Sequence, residues 1–392
     1  MFSKIFSQAL AISLCQWIII KTLMISNGLE FTGFYFLALS VTAPLFMLFG
    51  ANFKNYATNP YYGSWDNLIS RRLISLILAF VASLLVLLFI DSPFLVLILV
   101  ITLKSVEFSI DSVQAYEIRF KKVKYIVVFS GLYFFLIFSI YTSQVTDLLE
   151  FEKAMILLII GCMLIILMAF ARCDLFKVKR SIRSTRHENS YILKKIGMPA
   201  CIISLSAMIP RLSIELYLDT VLLGVFGSLI YFYLIGHIFI IAMFQANIAN
   251  FDAVSKNMLF VLDRLSLIFL ILSVIGLAVS ILYGDLILKL IFSEQLIKYS
   301  YLLPWFIGFI VVGCISTLYE QALINIDENI FIAKLNSYLL VFAIILCPIL
   351  IKILSFNGVV LYMYIFNSTK LIFVYAKLKN VLTERQSDYC RS

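Results

Sequence analysis

Residues 152–195 read E-K-A-M-I-L-L-I-I-G-C-M-L-I-I-L-M-A-F-A-R-C-D-L-F-K-V-K-R-S-I-R-S-T-R-H-E-N-S-Y-I-L-K-K. From Ala154 to Ala171 there is no charged residue, and Lys153 and Arg172 close the run at its two ends. About 20 consecutive apolar residues cross a bilayer as one α-helix. The remainder is the opposite in character. Lys177, Lys179, Arg180, Arg183, Arg186, Lys194 and Lys195 make residues 173–195 the longest basic stretch in the chain. That segment is too polar to span and too short to fold alone. A spanning helix that runs into dense Lys and Arg is one that emerges on the cytoplasmic side. The basic segment can also touch anionic lipid headgroups.

The same alternation extends along the whole chain. Of 392 residues, 62% are hydrophobic and 14% are charged, and mean hydropathy is +1.03. A soluble domain is about a quarter charged. These numbers exclude a soluble enzyme, a disordered tail and a secreted disulfide scaffold. Apolar runs predict about twelve spans: 5–25, 33–52, 73–91, 94–115, 125–146, 152–172, 196–218, 221–244, 259–283, 300–321, 332–353 and 357–377. Asp91-Ser92-Pro93 reads as a tight external turn. The N-terminus, with Lys4, Gln8, Gln16 and Lys21 in its apolar stretch, reads as the first span and not a cleavable signal. The seven Cys form no CxxC pair, and with only His187 and His237 there is no zinc spacing. They read as small apolar residues.

The net charge of +9 finds its explanation in orientation, not in nucleic acid. Four basic residues fall inside spans (Lys21, Lys104, Arg211, Lys370), and four lie outside the membrane on the outer side (Lys153, Lys289, Lys298, Lys352). The other 23 fall on one side, which is therefore cytoplasmic and holds both termini. The expected fold is an all-α polytopic membrane protein. It has an N-terminal six-helix half (1–172), a basic cytoplasmic linker (173–195), a C-terminal six-helix half (196–377) and a cytoplasmic tail (378–392). A short internal repeat supports two halves: F-G-A-N-F-K-N-Y at 49–56 and F-Q-A-N-I-A-N-F at 244–251. Six helices per half give both halves the same orientation, with a pseudo-two-fold axis along the membrane normal and a central cavity between them.

Charges inside spans mark the chemistry. A charge at mid-bilayer costs about 2.5–3.5 kcal/mol on insertion scales, so it needs a partner or water. Lys104, Glu107 and Asp111 lie within about 60° of one helix face, and Arg211, Glu215 and Asp219 repeat at steps of four. Two readings stand. The stripes form i,i+3 and i,i+4 ion pairs that hold helices together. Alternatively they line a wet path, with Arg211, Lys21, Lys104 and Lys370 as ligands for an anionic substrate, and Glu107, Glu215, Asp111 and Asp219 as sites for a coupling proton or sodium ion. His237 reads as a proton relay or a packed, hydrogen-bonded side chain. Glu320 reads as a solvated residue at a helix end. Pro44, Pro199, Pro210, Pro304 and Pro348 interrupt helices, and Pro210 directly precedes Arg211. Tyr61, Tyr62 and Trp65 fit an interfacial belt. There is no GxSxG, P-loop or HExxH, so no catalytic residue, resident metal or cofactor is assigned, and the chain reads as a transporter and not an enzyme.

In layout the chain resembles the Wzx family of O-antigen flippases, within the multidrug/oligosaccharidyl-lipid/polysaccharide exporter superfamily. The resemblance rests on Gly33-Phe34-Tyr35-Phe36-Leu37-Ala38 with Ala43-Pro44-Leu45, on E-F-S-I-D-S-V-Q-A-Y-E-I-R at 107–119, and on Ile209-Pro210-Arg211 with L-L-G-V-F-G at 222–227. It implies a flippase in the bacterial inner membrane. The cargo would be an undecaprenyl-diphosphate-linked oligosaccharide, moved from the cytoplasmic to the periplasmic leaflet, with a polysaccharide polymerase and chain-length regulator as partners. A cation-coupled multidrug exporter of the same superfamily is the alternative, though four basic residues within spans disfavour cationic drugs. A membrane polymerase is disfavoured by short external loops.

Overall fold

Every predicted span has become a helix, because a backbone in hydrocarbon must satisfy its polar groups internally. A computed structural model describes residues 2–50, 53, 57, 65–87, 89, 93–120, 125–173, 198–247, 257–326 and 328–389. Among these there are eleven α-helices. They are α1 (Phe2–Gly50), α2 (Trp65–Leu87), α3 (Phe94–Arg119), α4 (Tyr125–Val145), α5 (Phe151–Arg172) and α6 (Met198–Tyr217). There follow α7 (Thr220–Asn247), α8 (Asn257–Ile291), α9 (Leu303–Asn325), α10 (Asn329–Leu354) and α11 (Phe356–Tyr389), with a 3₁₀ helix η1 (Glu294–Leu302) before α9. Nine helical segments among the described residues are long and apolar enough to cross a membrane. The two helices left out are α3 and α6, which carry the charged stripes, and α1 contains two predicted spans. The chain forms two compact units, residues 3–212 and 213–392. The basic segment 174–195 and Asp91-Ser92 lie outside the described residues, as do most of the first repeat motif and half of the second.

The loop expected between the first two spans is a single residue. Helix α1 runs for 49 residues and breaks only at Gly28, with φ 85° and ψ −171°. That conformation is open to glycine and strained for any L side chain. A Gly28→Ala change is expected to cost about 1–3 kcal/mol, read as a lower unfolding midpoint of the purified protein. An unchanged midpoint would mean that the two arms of α1 do not depend on this break.

Helix α2 begins eight residues before the predicted span. Asp66 stands in its first turn, where a carboxylate favours the helix N-terminus. Arg71 and Arg72 are thus helix residues, not loop residues. Trp65 is no interfacial belt residue either: it is buried, donates Nε1–H to the Cys173 carbonyl at 2.9 Å and meets Phe53, Tyr116 and Phe120 edge-on. Pro304 does not interrupt a helix but stands in the first turn of α9, where its missing N–H costs nothing. Pro199 has the same place in α6, while Pro44, Pro210 and Pro348 lie inside helices. Helix α11 continues past the predicted tail boundary, and Leu378, Val381 and Leu382 join the core of the second unit.

Outward faces are apolar. Leu270, Ile271, Leu272, Val274 and Ile275 of α8 are exposed, an apolar surface suited to contact with lipid. Most Ser and Thr within spans are satisfied locally, as in Ser105 Oγ–H to the Ile101 carbonyl (2.8 Å) and Ser109 to Ser105 (2.8 Å). These hydroxyls need no ligand. The cysteines among the described residues are free, and five of them are buried. No group of His, Cys, Asp and Glu among the described residues could hold a metal ion.

Candidate functional site

In the first unit, α1, α2 and α3 surround a cavity of about 290 Å³. The sequence places three charges of α3 on one wall. Lys104, Glu107 and Asp111 all line it, spaced i, i+3 and i+7. Lys104 Nζ lies 2.6 Å from Glu107 Oε2. Gln16 of α1 donates Nε2–H to Glu107 Oε1 at 2.7 Å. Both oxygens of Glu107 therefore have donors, and its charge is offset within the span.

Arg72 closes the cavity from α2. It is only 4% exposed. Its guanidinium donates to the carbonyls of Gly50 (3.1 Å) and Phe108 (2.8 Å) and to Ser112 Oγ (3.1 Å). It stacks on Phe108 and faces Phe53. The Gly50 carbonyl is the last of α1, one of the acceptors a helix end leaves open. A Cβ at Gly50 would stand 3.0 Å from the Phe108 ring and 3.2 Å from Arg72 Nη1, so glycine is what admits the guanidinium. The sequence does not single out Arg72, because the apolar run starts after it. The signal that could have found it is periodicity: Leu68, Arg72, Leu76, Ala79 and Ser83 form one buried stripe.

Each unit also holds a buried carboxylate bound from two other helices. In the first, Glu117 of α3 is 0% exposed. It accepts from Arg172 Nη2 of α5 (2.7 Å) and from the Tyr125 backbone N–H of α4 (3.2 Å). In the second, Glu320 of α9 is 6% exposed. It accepts from Lys370 Nζ of α11 (2.7 Å) and from Asn336 Nδ2 of α10 (3.3 Å). Glu320 is thus not a solvated end residue: α9 continues to Asn325 and turns the carboxylate inward. Nearby in sequence, Thr317 shares a hydrogen bond with His237 Nδ1 (3.3 Å), and Tyr319 donates to Asp263 (2.6 Å). His237 is packed and hydrogen-bonded.

The structure brings together only part of the predicted set. Lys104, Glu107 and Asp111 share one cavity. Lys370 is ion-paired in the second unit. Lys21 sits over the Trp17 ring at 5.3 Å. Asp219 caps α7, accepting the Leu222 N–H at 2.6 Å. Glu215 accepts from Thr220 at 2.9 Å, and its other oxygen is buried with no partner among the described residues. Arg211, one residue after Pro210, has the Phe36 ring at 5.6 Å, and its buried Nε has no hydrogen-bond partner there. Among the described residues Arg211 makes no ion pair. The pairing reading therefore describes the α3 stripe and leaves the α6 stripe open.

No family model matches the chain, and no curated protein matches its sequence. Solved structures do match in fold. The chain is similar to the lipid II flippase MurJ in an inward closed conformation, with a TM-score of 0.71 and 16% identity over 98% of this chain and 89% of that one. It is similar to an inward-facing multidrug resistance MATE family transporter of the MOP superfamily, with a TM-score of 0.62 and 16% identity over 99% and 96%. It is also similar to the Vibrio cholerae MATE transporter VcmN, with a TM-score of 0.57 and 13% identity over 98% and 97%. The chain has the fold of MATE transporters and MurJ, a multi-pass helical membrane fold.

Proposed function

We propose that this chain is a flippase for an undecaprenyl-diphosphate-linked oligosaccharide. It moves an O-antigen or capsule repeat unit from the cytoplasmic to the periplasmic leaflet of a bacterial inner membrane, by cation-coupled alternating access, with both termini cytoplasmic. The observation that carries this reading is Arg211. It is a guanidinium in a helix with Pro210 inside it, and it has no carboxylate partner among the described residues. A fixed positive charge within a span suits an anionic headgroup, and a guanidinium can grip phosphate oxygens in pairs. The likeness to a lipid II flippase supports a lipid-linked cargo. The partnerless oxygen of Glu215 is an acceptor for a coupling cation, proton or sodium.

A second reading, a cation-coupled multidrug exporter, is favoured by the two MATE neighbours. An Arg with no ion pair among the described residues opposes it, since a fixed positive charge within a span repels cationic drugs. Deleting the gene separates the two. Under the flippase reading surface polysaccharide stops and single lipid-linked repeat units accumulate on the cytoplasmic side. Normal export in a deletion strain with no second flippase, together with raised drug sensitivity, would favour the exporter.

A further inference from the structure

We propose that the α1–α2–α3 cavity of the first unit binds one neutral pyranose ring of the cargo, and not its diphosphate. The proposal rests on the flippase reading for the nature of the cargo, but its chemistry is that of the cavity alone.

Charge balance argues first. The cavity is lined by two cations, Arg72 and Lys104, and two carboxylates, Glu107 and Asp111. Lys104 is neutralised by Glu107 at 2.6 Å. Arg72 already gives hydrogen bonds through three nitrogens to the Gly50 and Phe108 carbonyls and Ser112, and one of its faces is covered by Phe108. A diphosphate needs surplus positive charge and unengaged donors. Among the described residues this wall carries two cations and two carboxylates, with no surplus of positive charge.

A sugar hydroxyl has different needs. Each is one donor and two acceptors, so it suits a wall where carboxylate oxygens and an ammonium stand in a row along one helix. Asp111, Glu107 and Lys104 at i+7, i+3 and i supply such a row. Phe46 and Met47 on α1 supply an apolar face for the C–H side of a pyranose. A volume of about 290 Å³ lies at the small end of ligand pockets, which start at about 300 Å³. It has room for one ring. Arg211 is not among the lining residues, so phosphate and sugar would be met by separate groups.

The test uses the full chain in nanodiscs with Met47→Cys, since Met47 lines the cavity and is 51% exposed. The rate of modification by a charged methanethiosulfonate reagent is measured against the unsubstituted chain as background. Methyl glycosides of glucose, galactose, mannose, rhamnose and N-acetylglucosamine are the sugar probes, and inorganic pyrophosphate is the anion probe. At least one glycoside should slow modification saturably, by about tenfold at ten times its Kd. Adding Asp111→Asn should weaken that protection, and pyrophosphate should give none. Protection by pyrophosphate, or by no glycoside at millimolar concentration, overturns the proposal. Should Met47→Cys fail to fold, saturation-transfer NMR of the same probes on the unsubstituted chain decides the same question: transfer to a glycoside supports the proposal, and transfer to none overturns it. A failed flippase reading would show instead as normal export in the deletion strain, a readout independent of these probes.

Discussion

Arg211→Ala is expected to reduce export of surface polysaccharide by about two orders of magnitude at unchanged protein level, the scale of a lost hydrogen bond to a charged group. Arg211→Lys should keep part of the activity, because an ammonium preserves the charge and loses the planar fork. The structure sharpens this expectation. Glu215 takes its hydrogen bond from Thr220, and Arg211 is left with the Phe36 ring. A residue that served only to offset Glu215 would be dispensable once Glu215 was also removed. The double change Arg211→Ala with Glu215→Ala should therefore remain inactive. Recovery of export in the double variant would remove Arg211 from the substrate site.

Lys370→Met should lower stability by about 3–5 kcal/mol, the cost of leaving a buried charge without its partner. Glu320 would keep only the Asn336 amide at 3.3 Å. Replacing both members, Lys370→Met with Glu320→Leu, should return most of that stability, since a buried pair is worth little more than apolar packing of similar volume. Thermal unfolding of the three proteins measures this. Export in the double variant then separates the two roles of Lys370. If it only neutralises Glu320, export returns with stability. If it also grips cargo, export stays low while stability recovers.

The helices were legible because hydrocarbon permits few alternatives: runs such as Ala154–Ala171 have no other stable fold in a bilayer. The boundaries were less so. Arg71 and Arg72 hid the first turns of α2, since a charge pair looks like a loop until its helical partners are known. Gly28 hid a break that needs one residue and not a loop. The charged residues of the spans were found readily, because charge in an apolar run stands out. Their pairing was not. Whether Lys104 meets Glu107 is a local, i,i+3 matter and could be foreseen. Glu320 with Lys370, or Glu117 with Arg172, joins residues 50 or 55 positions apart, and only packing of α9 on α11 and α3 on α5 reveals it. Arg211 shows the converse: i,i+4 spacing to Glu215 permits an ion pair that the structure does not make.

The cargo proposed for this chain is a polyprenyl-diphosphate saccharide. Reconstitution tests it most directly. The purified chain is placed in vesicles holding undecaprenyl-diphosphate-linked oligosaccharide in both leaflets, under a proton or sodium gradient. A membrane-impermeant reagent then oxidises the exposed sugar. Oxidation is expected to continue beyond the outer-leaflet fraction with the unsubstituted chain and to stop at that fraction with Arg211→Ala. Oxidation that stops at the outer-leaflet fraction with the unsubstituted chain, in vesicles where the same protein moves a cationic dye, would contradict it.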